Sequence, residues 1–73
     1  MQRTIRVGGT YRHFKGNSYE VIAVARHSET LEELVVYRAL YGEGDVWVRP
    51  LPEFLDTVTR DGCTQFRFEE ING

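Results

Sequence analysis

At 73 residues the chain is long enough for one domain, residues 1–73, and a chain of this size buries only about 60% of the surface it exposes when unfolded. An apolar fraction of 41% against 27% charged residues excludes a disordered polymer and suits a soluble globular fold with a small core. A single cysteine, Cys63, excludes an intrachain disulfide and a cysteine-rich zinc site, and nowhere do about 18 apolar residues run together as a membrane span requires.

β-branched and aromatic residues fall in short runs bounded by turn residues, the pattern of a meandering β protein. The first strand is expected in "TIRV", continuing through Gly8-Gly9 into "TYRHF", with the paired glycines marking a bulge or bend. "KGNS" then supplies a hairpin turn, and "SYEVIAVAR" is apolar enough to be a central strand. In "TLEELVVYRALYG", Thr30 and Glu33 fit a helical capping box ahead of Gly42, but Val35, Val36, Tyr37 and Tyr41 favour a strand over Leu34–Tyr41. "GEGD" turns the chain and "VWVRP" is the return strand, ended by Pro50. Pro52 opens a short helical turn in "PEFLD". "TVTRDGCTQFRFEEI" reads as a hairpin about Asp61-Gly62, with Thr57 opposite Phe66 and Leu55 opposite Phe68. The expected fold is mostly β, a small, strongly bent antiparallel SH3-like barrel of five or six strands with one short helical turn; a five-stranded OB-like barrel is the alternative.

Charge is unevenly spread. Residues 1–27 hold five cations against one acid, giving +4, while residues 28–73 hold four arginines against ten acids, giving −6. Either an anionic ligand uses the basic third, or basic and acidic strands pair with each other, and the second is the simpler expectation.

"ARHSETLEE", residues 25–33, gathers a histidine, two hydroxyls and three carboxylates. His27, Ser28 and Glu29 are consecutive and diverge on extended chain, which argues against a triad; hydroxyls that cap turns and carboxylates that solvate a tip make a loop the better reading. His13 and His27 together supply two metal ligands where a site needs three or four, and no H-x-x-x-H or C-x-x-C spacing supports a third, so neither metal nor other cofactor is expected. "VGG" and "YGEGD" lack the spacing of phosphate loops.

"VWVRP" carries the main functional signal. Trp47 and Arg49 share one face and Val46 and Val48 the other. Because an unpaired guanidinium is costly to bury, the valines are expected inside and Trp47 with Arg49 outside. Pairing Tyr41 with Trp47, or Ala39 with Arg49, adds Tyr37, Ala39 and Tyr41 to that outer face and avoids opposing Arg38 to Arg49. The competing expectation is that the only tryptophan is a core residue.

From Tyr11 to Val58 the chain resembles the small bacterial family known as domain of unknown function 1653. The matching words are "YRHFKG", Tyr19-x-Val21, "ARHSET", "VVY", "LYG" and "WVRP" followed by a phenylalanine. The resemblance implies a short, free-standing cytosolic β barrel, and it transfers no catalytic residues. The chain departs from the pattern at Pro52-Glu53, where an acid and a methionine are expected, and nothing past Asp61 is read as shared.

The expected function is a non-catalytic cytoplasmic binding or adaptor module, with Arg12, His13, His27, Tyr37, Tyr41, Trp47 and Arg49 contacting a peptide or other anionic ligand. A nucleic-acid binder using the basic N-terminal third is the alternative, weakened by a single lysine and overall acidity. An enzyme would need His13 and His27 to converge with Glu20, Glu29 or Cys63.

Overall fold

The computed structural model describes residues 4–71. Seven strands and one helical turn follow in chain order: β1 (Thr10–His13), β2 (Ser18–Arg26), β3 (Glu33–Ala39), β4 (Val46–Pro50), α1 (Leu51–Phe54), β5 (Thr57–Arg60), β6 (Cys63–Phe66) and β7 (Phe68–Ile71). They form an antiparallel five-stranded sheet of order β4-β3-β2-β1-β7 and a separate β5-β6 hairpin.

Most of these elements lie where the residues place them, with instructive exceptions. Thr4–Val7 is not a strand: Gly8, at φ 88°, and the Arg6–Gly9 turn reverse the chain before β1, while Gly8 and Gly9 hydrogen-bond Val21. The Asp61-Gly62 turn has positive φ at both residues and sets Thr57 opposite Phe66, as the type I′ signal requires. That hairpin stops at Phe66, however. Phe68 leaves it to start β7 beside β1, so Leu55 ends α1 and does not pair with Phe68.

No closed barrel forms by strand pairing among the described residues, since β4 and β7 remain the two edges of the sheet. The intervening chain is spent on α1 and the β5-β6 hairpin, and the edges meet through side chains instead. Phe54, 0% exposed, stacks on Phe68 with centroids 4.0 Å apart and meets Tyr11 and Tyr37 edge-on at 5.4 and 5.3 Å. Val21 and Val35 complete the buried cluster, with Ile5, Tyr19, Leu51 and Leu55 at its margin. Aromatic pairs of this kind contribute about 0.5–1.5 kcal/mol each beyond their area burial, which matters in a core of so few side chains.

The sequence's charge split is resolved by topology. Basic β1 lies beside acidic β7, with Arg12 opposite Glu69, and Arg6 bonds Glu70 at 3.1 Å; β2 and β3 oppose Glu20 to Arg38 and Arg26 to Glu33. Arg6, Arg12 and Arg26 of the basic third thus lie against acids of the remainder, while Glu20 and Arg38 pair in the opposite sense.

Candidate functional site

β4 pairs with β3 so that Tyr37 lies opposite Trp47, Val35 opposite Arg49 and Val36 opposite Val48. The register is slipped by four residues from the expected one because Leu40–Asp45 forms a longer turn; an even slip leaves the same residues sharing a face. Which face is inward is the reverse of the expectation. Tyr37 and Ala39 are buried, at 6% and 4% exposure, so Trp47 and Arg49 stand on the concave side, whereas Val46 and Val48 are 52% and 60% exposed on the convex side. The expectation assumed that one face of β4 must be sealed. On an edge strand neither is, and Trp47 remains 51% exposed although it points to the concave side.

Arg49 reaches inward without losing all solvent. Its Nε donates to the Tyr37 hydroxyl at 3.4 Å, and its guanidinium carbon lies 5.7 Å from the Phe68 centroid, within cation–π range. It makes no ion pair among the described residues.

Phe68, itself buried, is the hub beneath the surrounding surface. His13 meets its ring edge-on at 4.9 Å, Tyr19 at 5.7 Å and Tyr37 at 5.5 Å. Tyr19 in turn packs against Tyr41 and shares a 2.7 Å hydroxyl–hydroxyl bond with it. Burial and that bond push the Tyr19 phenol up to about 12, so it stays protonated and polar without charge at neutral pH. The result is a continuous patch of His13, Tyr19, Tyr41 and Arg49, drawn from four separate stretches of chain and seated on the buried Phe68 ring, with Trp47 on the same face of β4.

His13 also belongs to a cleft of about 570 Å³ lined by Arg12, Phe14, Gly16, Thr57, Thr64, Gln65, Phe66 and Glu69, between the β1–β2 turn and the β5-β6 hairpin. Its Nδ1 accepts the Lys15 N–H at 3.2 Å, and its ring lies 4.5 Å from that of Phe14. Burial, then the charges of Arg49, Lys15 and Arg67, hold its pKa below the ordinary 6.5, so the imidazole is neutral near pH 7. Lys15 and Arg60 each approach the Phe14 ring at 5.8 Å, and the Arg67–Asp56 pair, with its shorter bond 2.7 Å, secures the hairpin base.

His27 is elsewhere. It follows β2, whereas His13 lies beside the start of that nine-residue strand, a span of about 25–30 Å at strand rise. Its Nδ1 accepts the N–H groups of Glu29 and Thr30 at 3.1 and 3.3 Å, its own N–H donates to Glu32, and Thr30 Oγ1 accepts from Glu32 N–H at 3.2 Å. The loop spends the Nδ1 and backbone groups of His27 on its own turn and holds the residue far from His13. Among the described residues no three or more His, Cys, Asp or Glu gather to hold a metal ion.

Of the residues anticipated from sequence, the fold thus brings together His13, Tyr37, Tyr41 and Arg49, sets Trp47 on the same face and Arg12 in the adjoining cleft, and leaves His27 apart from them at the far end of β2. Phe68, Tyr19 and Phe14 were missed. The alternation in "FRFEE" marks Phe68 as inward-facing, but nothing local shows that it meets β3 and β4.

A small two-sheet antiparallel β protein with an aromatic surface around one half-buried arginine is the class that this geometry defines. The family described as "Protein of unknown function (DUF1653)" matches residues 9–70, and the chain belongs to it. The match runs into β7, beyond the Val58 limit of the resemblance read from sequence. A solved structure described as a protein of that family from Bordetella bronchiseptica is 36% identical, with a TM-score of 0.82 over 92% of this chain and 87% of its own. No curated protein matches.

Among the described residues no helix is long and apolar enough to cross a membrane.

Proposed function

We propose that this protein is a non-catalytic cytoplasmic binding module that takes an anionic, partly apolar ligand, a peptide by preference, on the surface formed by Arg49, His13, Tyr41 and Trp47 over the buried Phe68 ring. The curvature that brings Arg49 of β4 over Phe68 of β7 supports reading the sheet as an SH3-like barrel left open at one seam, with the ligand at that seam. The observation that carries the reading is Arg49 itself. A guanidinium held by a phenol and an aromatic face, with no carboxylate partner among the described residues, retains donors for an incoming carboxylate.

Benzoate is a suitable minimal probe because it joins a carboxylate to a ring. Titrated into ¹⁵N-labelled protein, it should shift amide resonances of Arg49, His13 and Phe68, and Arg49→Met should abolish those shifts while the rest of the spectrum is retained. Unchanged resonances at Arg49 at millimolar benzoate would sink the reading. The nucleic-acid alternative is less favoured, because Arg6 and Arg12 lie against Glu70 and Glu69. It would return if oligonucleotide affinity fell steeply with salt.

A further inference from the structure

We propose that the outer edge of β4 takes up the peptide as an additional antiparallel strand, with an acidic side chain of the peptide set on Arg49. This rests on the reading of Arg49 as an anion contact and adds how the partner's backbone is held.

The backbone of β4 has a definite handedness of supply. The Ala39 N–H donates to the Asp45 carbonyl at 2.9 Å, one step beyond the Arg38–Val46 pair. Bonded and non-bonded pairs alternate in an antiparallel ladder, so Trp47 and Arg49 turn their backbone groups toward β3, and Val46, Val48 and Pro50 turn theirs away. Pro50 fits that outward position because it has no N–H to lose from the ladder. The N–H and C=O groups of Val46 and Val48 are therefore directed to the open edge, where no strand pairs with β4 among the described residues.

Side chains specify the occupant. Val46, Trp47 and Val48 are each about half exposed, and an added strand would cover them on both faces. On the outer edge Trp47 and Arg49 occupy non-bonded positions, where opposed Cα atoms approach to about 4.5 Å and side chains are closest. A carboxylate on the strand opposite Arg49 meets a cation lacking an ion-pair partner among the described residues, and an aliphatic residue two positions on meets the indole. A folded second copy fits less well. Joined along a five-residue strand, it would bury far less than the roughly 800 Å² per partner of a stable dimer, whereas a flexible peptide can continue toward His13.

The probe is the capped peptide acetyl-Thr-Glu-Val-Leu-Val-Thr-amide, whose Glu, Val, Leu and Val then oppose Arg49, Val48, Trp47 and Val46. N-methylating its two valines should weaken binding about tenfold or more, because those donors point at β4. N-methylating its Glu and Leu, whose N–H groups point away, should leave affinity within about threefold. Replacing its Glu by Gln, or Arg49→Met in the protein, should each weaken it about tenfold. On binding, the Val46 and Val48 amides should gain protection from hydrogen exchange. Equal effects of the two methylation patterns would overturn strand addition, and so would a concentration-dependent dimer that excludes the peptide. If benzoate still shifts Arg49 in either case, the anion site survives and only the strand geometry fails; if benzoate also fails, both readings fall.

Discussion

The two histidines lie by opposite ends of β2, His13 at the end of β1 and His27 just after β2, and they behave oppositely. At the β2–β3 loop, His27 spends its Nδ1 on the N–H groups of Glu29 and Thr30 and its backbone on Glu32 and Leu31, so a polar cluster dense in sequence is a closed local structure. At the start of β2, His13 packs on Phe68 and Phe14 beside Arg49, which lies 36 residues along the chain, and borders a cleft. Proximity along the chain made a turn, and proximity across strands made the candidate site. The lesson is that residues able to satisfy one another locally have little left for a ligand.

The comparison breaks most severely if the aromatic hub is removed. Phe54→Ala should cost about 3–5 kcal/mol, a large part of the total for a domain this small, and urea denaturation should show a nearly unfolded chain. Retention of a normal midpoint would mean that the Phe54–Phe68 stack does not hold the seam. Next in size, Arg49→Leu should weaken acidic ligands by about 1.5–3 kcal/mol with little change in the midpoint, read by calorimetric titration and thermal unfolding. A loss of stability without loss of binding would reverse the assignment of Arg49.

His27→Ala should lower stability by about 1 kcal/mol through its two lost backbone contacts and leave ligand affinity unchanged, measured by the same pair of experiments. Trp47→Ala should lower stability by less than about 1 kcal/mol, since half the indole is already wet, yet reduce peptide binding. Together the two substitutions separate a loop that supports the fold from an edge that serves recognition.

The pH dependence sharpens the contrast further. His13 has a folded pKa below 6.5, so the unfolded chain binds the proton more readily; its contribution to stability is full above 6.5 and is lost as pH falls through the depressed folded value. The proton that destabilises the fold adds positive charge beside Arg49, so benzoate should bind more tightly over that same acidic window, and His13→Gln should remove the effect. Tyr19 acts at the other extreme. Its folded pKa near 12 exceeds the ordinary 10, so its contribution is present below 10 and is lost as pH rises toward 12, which ultraviolet titration of the phenols should show.

Much of the architecture was legible along the chain. β2, β3, β4, the helical turn and the Asp61-Gly62 hairpin each carry a local signal strong enough to place them, because alternation, proline position and positive-φ turn residues act over a few residues. The candidate site was only half legible. Alternation on β4 grouped Trp47 with Arg49 and, through the shared register parity, with Tyr37, but the expected inward direction was reversed. That direction depends on where the sheet curves, and Val46 and Val48 hold no information about β7.

By themselves the residues determined a small antiparallel β fold, the turns that break it, and which side chains share a face, since those properties follow from backbone sterics and a two-residue period. Only the tertiary structure decided that β7 leaves its hairpin to pair with β1, that the sheet stays open, and that Phe68 gathers His13, Tyr19, Tyr37 and Arg49 around it. Those outcomes depend on contacts between segments tens of residues apart, where a few buried aromatic rings outweigh any local preference of the strands that carry them.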